Sequence, residues 1–477
     1  EENGIGIMPP SIIIDEKRAM SFLGIDIGTS SICGAVYNTS HRNITSVTKD
    51  NNTNINSPNI WEKTQDATAI VNIVLELLQE IRSQHPDIKG IGLSGQMHGM
   101  LYVDAEGRAV SPLYTWQDAR GSLPYKEGLS YAAYLTERTG LPLSTGFGLV
   151  THFYNQENGL VPQGAAKLCT VMDYVAMTLT QRKTPLIDCS NAASLGFFDK
   201  ERLLFDEQAL NSVGIDTSIL PEVRKNVALV GYCKSIPVYT AIGDNQASFL
   251  GSVRSIEHSI HLTVGTSSQL SIYSDTYVEV PPLDTRPLPG GGYILVGAAL
   301  CGGYSFNLLK NFFSDTVKFF TKQVLEDKDL YKMMVSIPYK EDSSEELQVE
   351  TLFGGTRQYP EKRGKITHIS LSNYTPENLI LAFLKGISQE LYDFYHLLPL
   401  SVRKDKTILV GSGNGIRKNP LLCKILEERF KRPLYVSEYQ EEAALGACIC
   451  SMVGEKYIDS FADFESDRCG LETEKVS

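Results

Sequence analysis

The 477-residue sequence has no uninterrupted apolar run approaching the ~20 residues of a membrane-spanning helix, so no membrane association is expected. It has no C-x-x-C pair. Its cysteines (Cys33, Cys169, Cys189, Cys233, Cys301, Cys423, Cys448, Cys450 and Cys469) are scattered and odd in number. That pattern argues against a disulfide framework or a zinc site and fits the reduced thiols of a cytoplasmic protein. Basic residues are too few to balance the acidic ones. The net charge of −12 excludes a general nucleic-acid binder, which needs a basic face. It does not exclude a local phosphate site, which needs only backbone N–H groups and one or two cations. The opening Glu1-Glu2-Asn3 has no basic region before an apolar core, so no secretory signal is read there.

What is present is an ordinary globular mixture, 42% hydrophobic and 21% charged. The length predicts about two to four domain-sized units. Met20-Ser21-Phe22-Leu23-Gly24 reads as a start running into a strand, which leaves residues 1–20 as an extension or a docked arm. The tail from 457 is polar and expected to fray.

Several stretches carry chemistry. Phe22–Ile27 and Ser31–Tyr37 read as strands joined by Gly28-Thr29-Ser30. The tetrapeptide Gly-Thr-Ser-Ser recurs at Gly265-Thr266-Ser267-Ser268, again between two strand-like runs, about half the chain away. A match in the same local context at half-length predicts two similar domains facing each other. Such tips aim backbone N–H groups at one point, which makes a phosphate cradle. Asp26, just before the first tip, suits a water-mediated Mg²⁺ ligand better than a direct phosphate partner. Gly411-Ser412-Gly413-Asn414-Gly415 follows a strand and precedes a helix. It lacks the dinucleotide spacing, and its glycines would let an adenine ring lie close to the backbone. Gln96, His98, Trp116, Asp118 and Asn191, in loops of the first half, supply the directional groups and the flat face a sugar needs. Ile242-Gly243-Asp244-Asn245-Gln246-Ala247 places Asp244 at a strand end, where catalytic groups of α/β proteins gather. The alternative is that Asp244 and Asn245 cap the following helix.

These motifs together resemble the FGGY carbohydrate kinases over about Phe22 to Val453. Gly24-Ile25-Asp26-Ile27-Gly28-Thr29-Ser30-Ser31 is similar to the family's first phosphate motif and Gly265-Thr266-Ser267-Ser268 to its second. Gly243-Asp244-Asn245-Gln246-Ala247 is similar to its catalytic motif, and Gly411-Ser412-Gly413-Asn414 to its adenosine loop. Ser94–Gly99, Thr115–Arg120, Thr145–Gly148 and Asn191–Ser194 most resemble the sedoheptulokinase branch.

The resemblance implies an α/β fold of two actin/Hsp70-like (ribonuclease H-like) ATPase domains with a cleft between them. Residues 21–251 would hold the sugar, 252–456 the nucleotide. It implies Mg²⁺-ATP-dependent phosphorylation of a ketose's terminal hydroxyl, sedoheptulose first, with xylulose or another sugar or polyol as the alternative. Asp244 would be the base and, with Asp26, a metal ligand. Gln96, Met97, His98, Trp116, Asp118, Asn191, Asp244 and Gln246 would meet the sugar. Gly28, Thr29, Ser30, Ser31, Gly265, Thr266, Ser267, Gly411, Ser412, Gly413 and Asn414 would meet ATP. One departure stands out: where many members carry lysine or arginine beside the first tip, this chain has Cys33. A cation there would neutralise the transferring phosphate. Its loss leaves open a sugar- or nucleotide-binding regulatory protein without catalysis.

Overall fold

The computed structural model describes residues 20–356, 359–437, 439–464 and 473–475. The expected N-terminal extension and most of the expected C-terminal tail lie outside the described residues.

Two seven-stranded sheets organise the chain. In the first, Ser21–Ile27 pairs in parallel with Ile88–Gly95 and antiparallel with Ser31–Asn38, which pairs with Asn43–Asp50. In the second, Ser259–Val264 pairs in parallel with Ile408–Ser412 and antiparallel with Ser268–Ser274, which pairs with Tyr293–Ala299. The order and directions of these four strands are the same in both sheets. The repeated tetrapeptide therefore marks a repeated topology. At the tips, Gly28 N–H donates to the Ser31 carbonyl and Gly265 N–H to the Ser267 carbonyl, each at 2.9 Å.

Helices cover the sheets where the sequence pattern places them. Ala67–Gln84 is capped by the Asp66 carboxylate, which accepts from Ala69 N–H. It buries Ile70, Val74, Leu77 and Ile81, four residues spaced to share one helical face. Pro376–Leu397 forms the core of the second half together with Pro420–Phe430, whose N-cap is Asn419.

The helix Glu442–Gly454 ties the halves together. It belongs to the second half of the sequence, yet it packs on the first sheet and on the helix Asp244–Ser252. Its small residues make this contact possible. A Cβ on Gly24 would lie 1.9 Å from the Ala444 carbonyl oxygen, and one on Gly446 would lie 1.9 Å from that of Ala247. No side chain fits at either seat, so backbone packs directly on backbone.

The charged stretch 321–347 does more than decorate the surface. It contains a helix, Asp327–Val335, whose Asp327, Lys328 and Tyr331 line a cavity beside the second hairpin tip. Leu330 and Met334 anchor that helix in the core.

Candidate active site

Strand register builds the centre of the site. Ser94 lies between Asp26 on one neighbouring strand and Ile242 on the other. Asp26 and the Gly243-Asp244 turn therefore flank the end of one central strand. Gly243 is extended and forms the N-cap of the next helix, while Asp244 is its first residue. No side chain caps that helix end, so the capping alternative for Asp244 does not hold. Gly243 also permits a close approach, since a Cβ there would sit 2.6 Å from both Met97 Sδ and Gln246 Oε1.

Burial, and then the neighbouring Asp26 charge, push the Asp244 carboxyl up to about 7, while Arg286 pulls the other way. Burial raises Asp26 to about 6. Ser94 Oγ, donating to Asp26 Oδ1 at 2.8 Å, opposes that rise, and the Glu441 charge adds to it. Cys33 stands opposite Asp26 in the hairpin. It is a buried thiol pushed up to about 12 by burial and packed with Ala35 and Ala444. A neutral group thus stands beside Asp26. Among the described residues no group of three or more His, Cys, Asp or Glu is arranged to hold a metal. The Asp26–Asp244 pair still suits Mg²⁺, which keeps most of its water and takes one or two carboxylates plus phosphate oxygens.

A cavity of about 710 Å³ opens beside the second tip. Gly265 and Thr266 line one side, Gly303 and Tyr304 another, and Asn414 and Gly415 a third. A Cβ on Gly265 would meet nothing within 4 Å, so its backbone faces open space. The rest of the glycine loop plays a different part. Gly411 and Ser412 are buried, and Ser412 Oγ bonds His261 Nε2 at 2.8 Å and Thr263 Oγ1 at 3.0 Å. Gly413 makes the turn at φ +85°, against the Val264 carbonyl. Of the four loop residues named from the sequence, only Asn414 lines the cavity.

A second cavity, about 620 Å³, lies between the halves. Met97 and His98 line it together with Phe147, Ser190, Ser194, Lys200, Asp284 and Arg286. His98 has φ +72°, a conformation rare for a side-chain-bearing residue. Three contacts hold it there: its N–H donates to Ser194 Oγ, its Nδ1 bonds the Ser194 carbonyl at 2.8 Å, and its ring stacks on Phe147 at 4.8 Å. Nδ1 is therefore the protonated nitrogen.

The other residues expected at the sugar divide into groups. Gln96 donates to Gln65 Oε1, Asn191 to the Ala241 carbonyl, and Gln246 to the Pro287 carbonyl. Each leaves a buried side-chain oxygen without a protein partner, a costly arrangement that a bound ligand or water would relieve. Trp116 is half exposed and donates through Nε1 to Thr29 Oγ1 at the first tip. Asp118 is taken out of reach. It is fully buried, and both its oxygens accept from Arg120, at 2.7 and 3.1 Å. Arg120 in turn sits over the Tyr114 ring at 4.4 Å. Asp118 thus holds the loop rather than lining the second cavity.

Sequence reasoning missed Arg286, Lys200 and Asp284. Arg286 is nearly buried and donates through Nε to Asp284 Oδ2 at 2.9 Å, and Lys200 holds Asp284 Oδ1 at 2.9 Å. No motif surrounds Arg286. Only the pairing of Asp284–Pro287 along Tyr293–Ala299, and the Gln246 bond to Pro287, carry it to the centre.

Residues 21–251 match the profile described as the FGGY family of carbohydrate kinases, N-terminal domain. The chain is 28% identical over 425 residues to a sedoheptulokinase of Mus musculus, covering 81% of this chain and 86% of that protein. It is 26% identical over 467 residues to a xylulose kinase of Staphylococcus xylosus, covering 92% of each. Plasmodium falciparum glycerol kinase with ADP superimposes with a TM-score of 0.75 at 20% identity, covering 96% of this chain and 93% of that one. The fold is the two-domain actin/ribonuclease H-like fold of the sugar kinases. Over residues 21–251 the chain matches the FGGY family of carbohydrate kinases, and its similarity to sedoheptulokinases extends over 81% of its length.

Proposed function

We propose that the protein transfers the γ-phosphoryl group of ATP to the terminal hydroxyl of a ketose, sedoheptulose foremost and xylulose next. The observation that carries this reading is the position of Asp244. It follows Gly243 at the end of the strand beside the central one, across from Asp26, and Met97, which lines the second cavity with His98, abuts Gly243.

ATP fits the other side. The backbone groups of Gly28–Ser30 and Gly265–Ser267 would cradle its phosphates, and the 710 Å³ cavity would take its nucleoside. Asp26 and Asp244 would hold Mg²⁺, whose charge offsets that of the phosphate oxygens when bound. The carboxyl of Asp244, raised to about 7, is poised to accept the proton of the terminal hydroxyl near neutral pH. His98, fixed by the Ser194 carbonyl and the Phe147 ring, would form one wall of the sugar site. The buried oxygens of Asn191 and Gln246 would accept further donors. Closure of the halves over the cavity would keep water from the phosphoryl group. Residues 21–251 would serve as the sugar-holding unit and 252–456 as the nucleotide-holding unit. ADP release from Mg²⁺-ATP with each of several ketoses tests the proposal. Release that no sugar accelerates would turn the reading toward a binding protein without transfer.

A further inference from the structure

We propose that Arg286 is a specificity-determining residue that hydrogen-bonds the acceptor sugar directly, presented by the second half of the chain to a cavity built mainly by the first. This inference rests on the kinase reading above.

Three observations carry it. First, Arg286 lines the same cavity as Met97 and His98, and its Nη1 lies 4.0 Å from Met97 Sδ. It therefore reaches the loop that abuts Gly243 and Asp244. Second, it is held from behind. Asp284 accepts from Arg286 Nε, and Lys200 fixes the other oxygen of Asp284 from across the cavity. The Tyr293 hydroxyl, donating to the Lys200 carbonyl at 2.8 Å, secures that crossing. A guanidinium so fixed loses little freedom when it binds. Third, its hydrogen-bonding capacity is not used up. One N–H goes to a carboxylate and one to a thioether, a weak acceptor, so donors remain for a ligand.

Asp284 pairs with both Arg286 and Lys200, and Asp199, Glu201, Asp206 and Glu279 also line the cavity, so it does not call for an anionic acceptor. Neighbouring oxygens of a polyhydroxylated chain match the fork of a guanidinium. The ammonium of lysine is a point charge and would not match them. Arg286 therefore reads the spacing of sugar oxygens beside the reacting end.

The test compares Arg286→Lys and Arg286→Gln with wild type in steady-state assays, varying ketose and ATP separately. Arg286→Lys keeps charge and length and is the variant with the least risk to folding. A thermal melt checks both variants. The expected result is a rise of about 10- to 100-fold in the ketose KM, the loss typical of a charged hydrogen bond to substrate, with the ATP KM unchanged. In a monodeoxy ketose series, one member will bind wild type and Arg286→Lys equally, because the oxygen that Arg286 reads is missing. An unchanged ketose KM in a folded variant that still turns over overturns the proposal and leaves the kinase reading standing. A rise in the ATP KM instead places Arg286 on the phosphoryl group and also overturns it. Wild-type protein that phosphorylates no ketose or polyol removes the kinase reading, and this inference with it.

Discussion

Asp244→Asn separates the chemistry of Asp244 from its structural cost. Asparagine keeps the shape at the first helical position but removes the charge and the basicity. General-base assistance is worth about 10²–10⁴-fold, so turnover should fall by at least about 10²-fold while ATP and sugar still bind. The same change should stabilise the protein. Folding raises this carboxyl from 3.8 to about 7, so at pH 8 without metal the ionised group works against the folded state. That shift corresponds to roughly 1–4 kcal/mol once partial exposure is allowed for. Loss of the helix-dipole interaction at the first turn, about 0.3–1 kcal/mol, offsets part of it. The assay pairs ADP release with thermal melts in metal-free buffer at pH 8. The expected result is a nearly dead enzyme with a midpoint equal to or above wild type. Near-normal turnover in folded protein would refute the base assignment, and a large drop in midpoint would refute the electrostatic account.

Gly265→Val adds bulk to an open backbone site and should weaken ATP binding at least about tenfold by calorimetry, with sugar binding and fold intact. Asp118→Ala removes the nearest carboxylate from the buried Arg120 guanidinium and leaves it Glu62 at 3.4 Å and the Asn155 side chain. It should cost about 1–3 kcal/mol, seen as a lower thermal midpoint, and leave the ketose KM of the surviving protein near wild type. The raised carboxyls of Asp26, Asp173, Asp188, Asp244 and Glu442 set a pH dependence. Their folded values, about 6 to 7, lie above the unfolded ones, so the folded state holds protons that the unfolded chain releases. Metal-free stability should therefore fall between about pH 4 and pH 7, and Mg²⁺-ATP should reverse part of the loss contributed by Asp26 and Asp244.

The elements that were legible in the sequence are those with a local cause. The helix Ala67–Gln84 follows from its apolar spacing, and Asn419-Pro420 from capping chemistry. The two Gly-Thr-Ser-Ser tips led to two sheets of like topology because a repeated hairpin in a repeated context is a local signal. The parts that escaped depend on chain pairing over long distances. Asp118 looked like a sugar ligand because a loop carboxylate beside a tryptophan has that chemistry. Its partner, only two residues away, turned inward with it. Ser412 sits in a glycine loop, but its hydroxyl is used up by His261 and Thr263 from the neighbouring strand. Arg286 carries no motif and reaches the centre only through strand pairing. The helix Glu442–Gly454 showed its small residues in the sequence, but not that the glycines receiving it lie some 400 residues earlier, at Gly24, and about 350 earlier, at Gly92.

The most direct test is acceptor-dependent ADP release by the purified protein with Mg²⁺-ATP. Sedoheptulose, xylulose, gluconate and glycerol are assayed side by side, and the phosphorylated position of any product is read by NMR. The account predicts that sedoheptulose gives the highest kcat/KM, with xylulose next and phosphate on the terminal carbon. Glycerol or gluconate as the better acceptor would contradict the ketose assignment, and no acceptor-dependent release from folded, ATP-binding protein would contradict transfer itself.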